Sequence, residues 1–151
     1  MSLLSLAGKK GLIVGLANEH SIAYGFAQMA KQQGAHIVAT CLNDKARRFV
    51  EPLTQALDIT LHTCDVEQEG ALEQLIDATV AELGALDFVL HSIAWAPLTD
   101  LHGKTIHSSL EGFARAMNIS CHSFARLANL CVPHMRNGGA RASHHSKARP
   151  T

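Results

Sequence analysis

Residues 12–25 read LIVGLANEHSIAYG and decide the fold of this chain. The first three are apolar, which is typical of a short buried strand, and the pattern becomes helical near Ser21. A glycine such as Gly15 at the end of a strand lets the backbone turn sharply and approach an anion. Ser21 is a good N-cap for a helix whose first N–H groups attract negative charge. The stretch predicts a phosphate-binding turn, although a plain strand-to-helix turn with a capping serine has the same pattern.

Short apolar runs alternate with longer helical patterns along the rest of the chain. We predict strands at 10–15, 36–41, 59–63 and 86–91, and helices at 21–33, 44–57, 67–83 and 109–132. This alternation is typical of βαβ units. Right-handed crossovers then give an α/β fold with a doubly wound parallel sheet in the strand order 3-2-1-4. Pro52 predicts a break or kink inside the second helix.

Composition and charge exclude several classes of protein. The 151 residues fit one domain, and the formal net charge of zero gives no reason to expect nucleic acid or a membrane surface as partner. No apolar run approaches a membrane span and the N-terminus lacks a signal-peptide pattern, so we expect a cytoplasmic protein. The four cysteines lack a C-x-x-C pair and are interpreted as small buried thiols. The ten histidines lack metal-ligand spacing, so no metal site is expected.

The turn after the first strand departs from the common G-x-G-x-x-G pattern. Its variant, Gly15 followed after five residues by SIAYG at 21–25, resembles the cofactor loop of the bacterial enoyl-acyl-carrier-protein reductases, a divergent branch of the short-chain dehydrogenase/reductase family. Three further segments agree with this resemblance: NDK at 43–45, CDV at 64–66 and HSIA at 91–94. The resemblance covers roughly residues 5–139 and implies a Rossmann-like fold.

The resemblance also implies a set of cofactor-binding residues at the strand ends. They are Gly15, Ser21, Ile22, Leu42, Asp65, Val66 and Ile93. The first three would hold the pyrophosphate, Asp65 and Val66 would bracket the adenine ring, and Ile93 would lie against the nicotinamide ribose. Considered alone, Asp65 would be interpreted as the N-cap of the third helix. Ala94 and Trp95 would line an acyl pocket, although a loop aromatic that covers the core is the alternative.

The choice between NADH and NADPH depends on the end of the second strand. An acid there binds the ribose 2′-hydroxyl, whereas an arginine favours the 2′-phosphate of NADPH. Leu42 offers neither group, while Asp44 is acidic, and Lys45, Arg47 and Arg48 bring positive charge. The resemblance as a whole favours NADH, and NADPH stays open as the alternative.

The activity implied by the resemblance is NADH-dependent reduction of a trans-2-enoyl group on acyl carrier protein, in type II fatty-acid synthesis, by a homo-oligomer. The enolate formed needs a donor at its oxygen, which the family supplies with a tyrosine and a lysine. The chain's single tyrosine is Tyr24 on the first helix, and its only lysine after Lys104 is Lys147. We therefore expect no catalytic residue in this chain and an inactive fragment. The alternatives are a short-chain dehydrogenase acting on a carbonyl or alcohol, and a non-catalytic nucleotide-binding module.

Two further expectations concern the later part of the chain. Asn118 is similar to an asparagine that orients the active-site lysine in many short-chain dehydrogenases, although a solvent-facing asparagine is the commoner meaning. Residues 140–151, ARASHHSKARPT, contain no apolar run. We expect the sheet to be truncated after the fourth strand–helix unit, which leaves a partial dinucleotide-binding domain at 1–139 and a disordered basic tail at 140–151. A segment that binds nucleic acid or an acidic carrier protein, and a frameshift, are the alternatives for this tail.

Overall fold

The computed structural model describes residues 5–136 and 142–144, which form one parallel sheet with helices on both faces. The strands are β1 (Lys10–Val14), β2 (His36–Cys41), β3 (Thr60–Thr63), β4 (Phe88–His91) and β5 (Ala142–His144). The helices are α1 (Ile22–Gln32), α2 (Asp44–Ala56), α3 (Ala71–Leu83), α4 (Leu98–Leu101), α5 (Leu110–Met117) and α6 (Ser123–Cys131). The sheet order is β3-β2-β1-β4-β5, so the α/β class and the predicted order of the first four strands are confirmed.

Strand β1 lies at the centre of the sheet because it is apolar on both faces. Leu12, Ile13 and Val14 are completely buried. Lys10 pairs with His36 on one side, and Gly11 pairs with Phe88 on the other. The side chains of alternate residues enter two separate cores, Ile13 on the side of α1 and α2, and Leu12 on the side of α3 and α6. This arrangement places the carboxyl ends of β1, β2, β3 and β4 along one edge, where loops carry function in open α/β sheets.

The expectation that the sheet ends at β4 is wrong in one respect. Residues Ala142–His144 pair in parallel with Val89 to His91 and form a short fifth strand. A strand pairs through its main-chain N–H and C=O groups, so three residues without large apolar side chains are sufficient at a sheet edge. Residues 137–141 and 145–151, which include most of the predicted tail, lie outside the described residues.

The helices also differ from the predicted boundaries at three places. Helix α2 continues through Pro52 without the predicted break. Helix α3 begins at Ala71 rather than residue 67, because Gly70 takes a left-handed conformation with φ 77° at its N-cap. The predicted helix 109–132 is divided into α5, a π-helical turn at Asn118–His122, and α6. Among residues 5–136 and 142–144, no helix has the length and apolarity that a membrane crossing requires.

Candidate functional site

The turn between β1 and α1 is fixed by contacts with two neighbouring strands. Gly15 has φ 103°, and a side chain there would collide with the carbonyl oxygen of Ser92 and lie 2.9 Å from Ile93 Cγ1. Its N–H donates to Thr40 Oγ1 at 3.2 Å, and the Leu16 N–H donates to the Thr40 carbonyl at 2.7 Å. Only glycine fits this conformation and this space. The turn therefore holds the ends of β1, β2 and β4 together.

Helix α1 begins beside this turn with the predicted serine cap. Ser21 Oγ accepts the N–H of Tyr24 at 3.2 Å and donates to the Asn18 carbonyl at 2.7 Å. The first turn of the helix contains no acidic side chain. Since the first N–H groups of a helix have no intrahelical acceptor, the N-terminus at Ile22 has the electrostatics that a phosphate requires. Ile22 itself is 44% exposed.

A cavity of about 520 Å³ opens at the carboxyl ends of β2 and β3. Its walls contain Leu42 and Asp65, two of the three residues predicted for the adenosine end of the cofactor, together with the N-terminus of α2 and one side of α3; the third, Val66, does not line it. Leu42 is 54% exposed. The other predicted cofactor residues do not line this cavity. A carboxylate acceptor beside an exposed apolar side chain fits the amino group and the ring of an adenine.

The same cavity contains several polar residues to which the sequence analysis gave no binding role. They are Asn43, His62, Thr63, Gln68 and Gln74. Asn43 caps α2, because its Oδ1 accepts the Ala46 N–H at 2.9 Å. An asparagine directly before an acidic residue is a sequence signal for such a helix start. The Nε2 atom of His62 is shielded from solvent and has no hydrogen-bond partner among the described residues. No pattern in the sequence marked His62, since its strand alternates only weakly.

The loop after β3 is an Asx-turn rather than the start of α3. Asp65 Oδ1 accepts the N–H of Glu67 at 3.0 Å, so Asp65 is not the N-cap of α3 that its position alone predicted. Val66 is 4% exposed, and its carbonyl accepts from Arg126 Nη1 at 3.1 Å. The hydrogen bonds from Arg115 lower the pKa of the Glu67 carboxyl below its ordinary value. Asp65 therefore lies in a turn that is held by hydrogen bonds from Arg115 on α5 and Arg126 on α6.

The segment after β4 carries the remaining predicted site residues. Ile93 packs against the core on the α3 side, and Ala94 is exposed. The backbone of Trp95 is held by one side chain, because Ser120 Oγ accepts its N–H at 2.9 Å and donates to its carbonyl at 3.1 Å. Trp95 is partly buried against the same core, which leaves both the pocket interpretation and the core-covering interpretation open.

The remaining candidate residues lie on helices α1 and α6 and on the π-helical turn between α5 and α6, or at strand ends. Asn118 is exposed at the start of the π-helical turn, and Tyr24 packs on α1 against the core of the α1 and α2 side. Cys41, Cys64 and Cys131 are buried as predicted, but Cys121 is exposed, because the π-helical turn presents it to solvent. Within residues 5–136 and 142–144, no three metal-ligating side chains come together.

A doubly wound parallel sheet, with a glycine turn and a capped helix at its carboxyl edge, defines the Rossmann-like class of α/β domains. The family model described as enoyl-(acyl carrier protein) reductase matches residues 15–146. The chain therefore belongs to the enoyl-acyl-carrier-protein reductase family, which confirms the resemblance read from the sequence.

Individual members of this family are similar over most of the chain. The Rhizobium meliloti protein named enoyl-[acyl-carrier-protein] reductase [NADH] 2 is 38% identical over 133 residues, which are 87% of this chain and 50% of that protein. The Anaplasma phagocytophilum reductase, crystallised with NAD, has a TM-score of 0.81 at 35% identity and covers 85% of this chain and 50% of its own. The Bacillus cereus reductase, crystallised with NADP+ and an indole naphthyridinone, has a TM-score of 0.82 at 32% identity, with 86% and 52% covered. The chain thus spans about half the length of the relatives it matches.

Proposed function

We propose that this chain binds NADH along the carboxyl edge of its sheet, as the cofactor-binding half of an enzyme that reduces trans-2-enoyl groups on acyl carrier protein in type II fatty-acid synthesis. The observation that carries the proposal is the packing of Gly15 against Ser92 and Ile93, beside the N-terminus of α1. This packing places a backbone without a side chain next to the positive N-terminal end of α1. A dinucleotide needs both features at its pyrophosphate.

Five of the seven predicted cofactor residues have the following tasks in this proposal. Gly15, Ser21 and Ile22 bind the pyrophosphate through main-chain N–H groups and the N-terminus of α1. Asp65 accepts the amino group of adenine, and Ile93 supports the ribose on the nicotinamide side. When bound, NADH supplies a hydride to the enoyl group. The residues of this chain bind and orient the cofactor, so the experiments below measure cofactor binding.

The surroundings of Arg47 support NADH over NADPH. Its guanidinium donates to Glu51 at 3.1 Å and to the Leu61 carbonyl at 3.0 Å, so it is already engaged away from a 2′-phosphate. Asp44, in the first turn of α2, adds negative charge at the end of β2. Calorimetric titration with NADH and NADPH tests this choice. We expect at least about tenfold tighter binding of NADH, since the added phosphate would lie near the Asp44 carboxylate, and tighter binding of NADPH would overturn it.

Two serines in the same structural role provide the sharpest test of cofactor binding. Ser21 caps α1, and Ser109 caps α5 by accepting the Gly112 N–H at 3.0 Å. Each serine-to-alanine change should destabilise the fold by about 1 kcal/mol. Only Ser21→Ala should weaken NADH binding, measured by calorimetry. Equal affinities in the two variants, or no binding by the unaltered chain, would contradict the proposed site.

Catalysis is the second part of the proposal. We infer that the 151 residues by themselves bind NADH without reducing an enoyl thioester, because the single tyrosine, Tyr24, packs on α1 and the enolate would lack a donor. Such a chain acts as a non-catalytic nucleotide-binding module. The test is the oxidation of NADH, followed by its absorbance in the presence of crotonyl thioester. Measurable turnover would refute this inference while leaving cofactor binding intact.

An apolar stripe on α5 supports self-association, which the family resemblance implies. Leu110 is 85% exposed, Phe113 58% and Met117 45%, and their spacing puts them on one side of the helix. We propose that a second copy covers this stripe. Sedimentation should show a dimer or larger assembly that Phe113→Lys dissociates; a monomer at all accessible concentrations would contradict it.

A further inference from the structure

A continuous row of contacts joins the adenine end of the proposed site to Trp95. Arg115 donates to both carboxylate oxygens of Glu67, through Nε and Nη2, each at 2.8 Å. The same guanidinium lies over the indole of Trp95, with Cζ 4.4 Å from the ring centroid. One planar cation therefore contacts a carboxylate with its N–H groups and an aromatic ring with its face, as arginine geometry allows.

The Glu67 end of this row is attached to the residue proposed to bind adenine. The Asp65 carboxylate accepts the Glu67 N–H at 3.0 Å, and Asp65 lines the cavity at the carboxyl ends of β2 and β3. The negative charge of Asp65 also raises the pKa of Arg115, after the larger effect of the Glu67 hydrogen bonds. A ligand that binds the Asp65 carboxylate would therefore affect the turn that carries Glu67.

The Trp95 backbone is held by Ser120, and its partly buried side chain contacts both the core on the α3 side and Arg115. Ser120 Oγ holds both the N–H and the carbonyl of Trp95. The guanidinium of Arg115 stacks on the indole and adds an attraction to the ring face. The orientation of the ring thus depends on Arg115 together with the core packing, and the position of the backbone depends on Ser120.

We propose that Arg115 is a positioning residue that couples occupancy of the adenine end to the orientation of Trp95. The inference rests on the proposed function, since it needs a nucleotide at Asp65. Adenine bound at Asp65 steadies the turn at Glu67, Glu67 holds the guanidinium, and the guanidinium holds the indole of Trp95. Because exposed cation–aromatic contacts are weak, the coupling changes nucleotide affinity by about twofold to fivefold.

The tryptophan itself is the probe for this coupling, because Trp95 is the only one in the chain. ADP-ribose, which contains the adenine end and lacks nicotinamide, is titrated into the full chain while the emission of Trp95 and the heat of binding are recorded. We expect ADP-ribose to shift the emission. In Arg115→Met and in Glu67→Gln, binding should persist about twofold to fivefold weaker, and the emission should no longer respond. Arg115→Lys should recover part of the response, since it keeps the charge without the fork.

Arg136→Met is the matched control, because Arg136 is also a partly exposed arginine in an ion pair, with the largely buried Asp87 at 3.7 Å, at the amino ends of the strands. It should leave the emission response intact. Binding of ADP-ribose without any change in emission, or an unchanged response in Arg115→Met or Glu67→Gln, would overturn the coupling alone. Absence of any binding heat would overturn the proposed cofactor site and the coupling together.

Discussion

At the scale of single residues, Gly15 decides whether the site exists. Its left-handed backbone and the contact with Ser92 are both incompatible with a side chain, so two independent constraints select the same residue. Gly25, ten positions further along, is also a glycine of the family motif but has open space where a Cβ would lie. The two glycines therefore have different structural meanings within one motif.

This difference predicts opposite effects of the same substitution. Gly15→Ala should lose about 2–4 kcal/mol of stability, because it adds left-handed strain and a collision. Gly25→Ala should gain about 0.5–1 kcal/mol, since alanine is the better residue inside a helix. Urea unfolding measures both changes. Similar stabilities for the two variants would show that the turn relaxes around the added methyl.

The four thiols are predicted to differ in reactivity. Burial raises the pKa of Cys64 and Cys131 to about 11 and also raises the pKa of Cys41, whereas Cys121 is exposed. Since the thiolate is the reactive form, a thiol reagent at pH 8 should label one cysteine quickly in the folded chain and all four in denaturant. Cys121→Ser should remove the fast phase. A fast phase that survives this change would contradict the burial of the other three.

At the scale of elements, the sequence predicted the strands and helices whose apolar residues recur with a regular period. Strand β1 follows from LIV at 12–14, and α1 follows from its apolar face and Ser21. The sequence pattern did not predict the π-helical turn at Asn118–His122, because one inserted residue in a helix barely disturbs its apolar stripe. Nor did it predict the link from Arg115 to Trp95, since an exposed arginine leaves no periodic signal.

Pro52 gives a prediction for helix α2. The helix continues through it, although proline has no N–H to donate to the carbonyl of Arg48 and crowds that turn. Pro52→Ala should therefore stabilise the chain by about 1–2 kcal/mol, the helix gain being partly offset by a more flexible unfolded state. Thermal unfolding followed by circular dichroism measures the change. A lower melting temperature would indicate that the proline ring makes packing contacts worth more than the hydrogen bond.

At the scale of the whole molecule, Asp87 joins three segments at the amino ends of the strands. Its carboxylate is 9% exposed, accepts the Lys10 N–H at 2.8 Å, and lies 3.4 Å from Lys9 and 3.7 Å from Arg136. Burial opposes ionisation, but the Lys10 N–H and the two cations outweigh it and hold the pKa of Asp87 below its ordinary value. The ionised form therefore stabilises the fold.

The sign of this pKa shift fixes a pH dependence. The stabilisation from Asp87 should be complete above the ordinary carboxyl pKa of about 4 and lost as the pH falls through the lower folded value. Near neutral pH, Asp87→Asn should cost about 1–2 kcal/mol, and the difference from the unaltered chain should shrink below about pH 4. Urea unfolding across this range measures it. Asp77→Asn, at an exposed site on α3, is the control and should show no such convergence.

The central position of β1 also sets an order of events during folding. Lys10 pairs with His36, whereas Gly11 pairs with Phe88, roughly three times as far along the chain, and closing the longer loop costs about 1 kcal/mol more in chain entropy. Contacts between nearby segments form faster than contacts between distant ones. The half of the sheet that carries Leu42 is therefore expected to assemble first, and β4 docks afterwards, bringing Trp95 to a cavity at the carboxyl ends of β2 and β3 that has already formed.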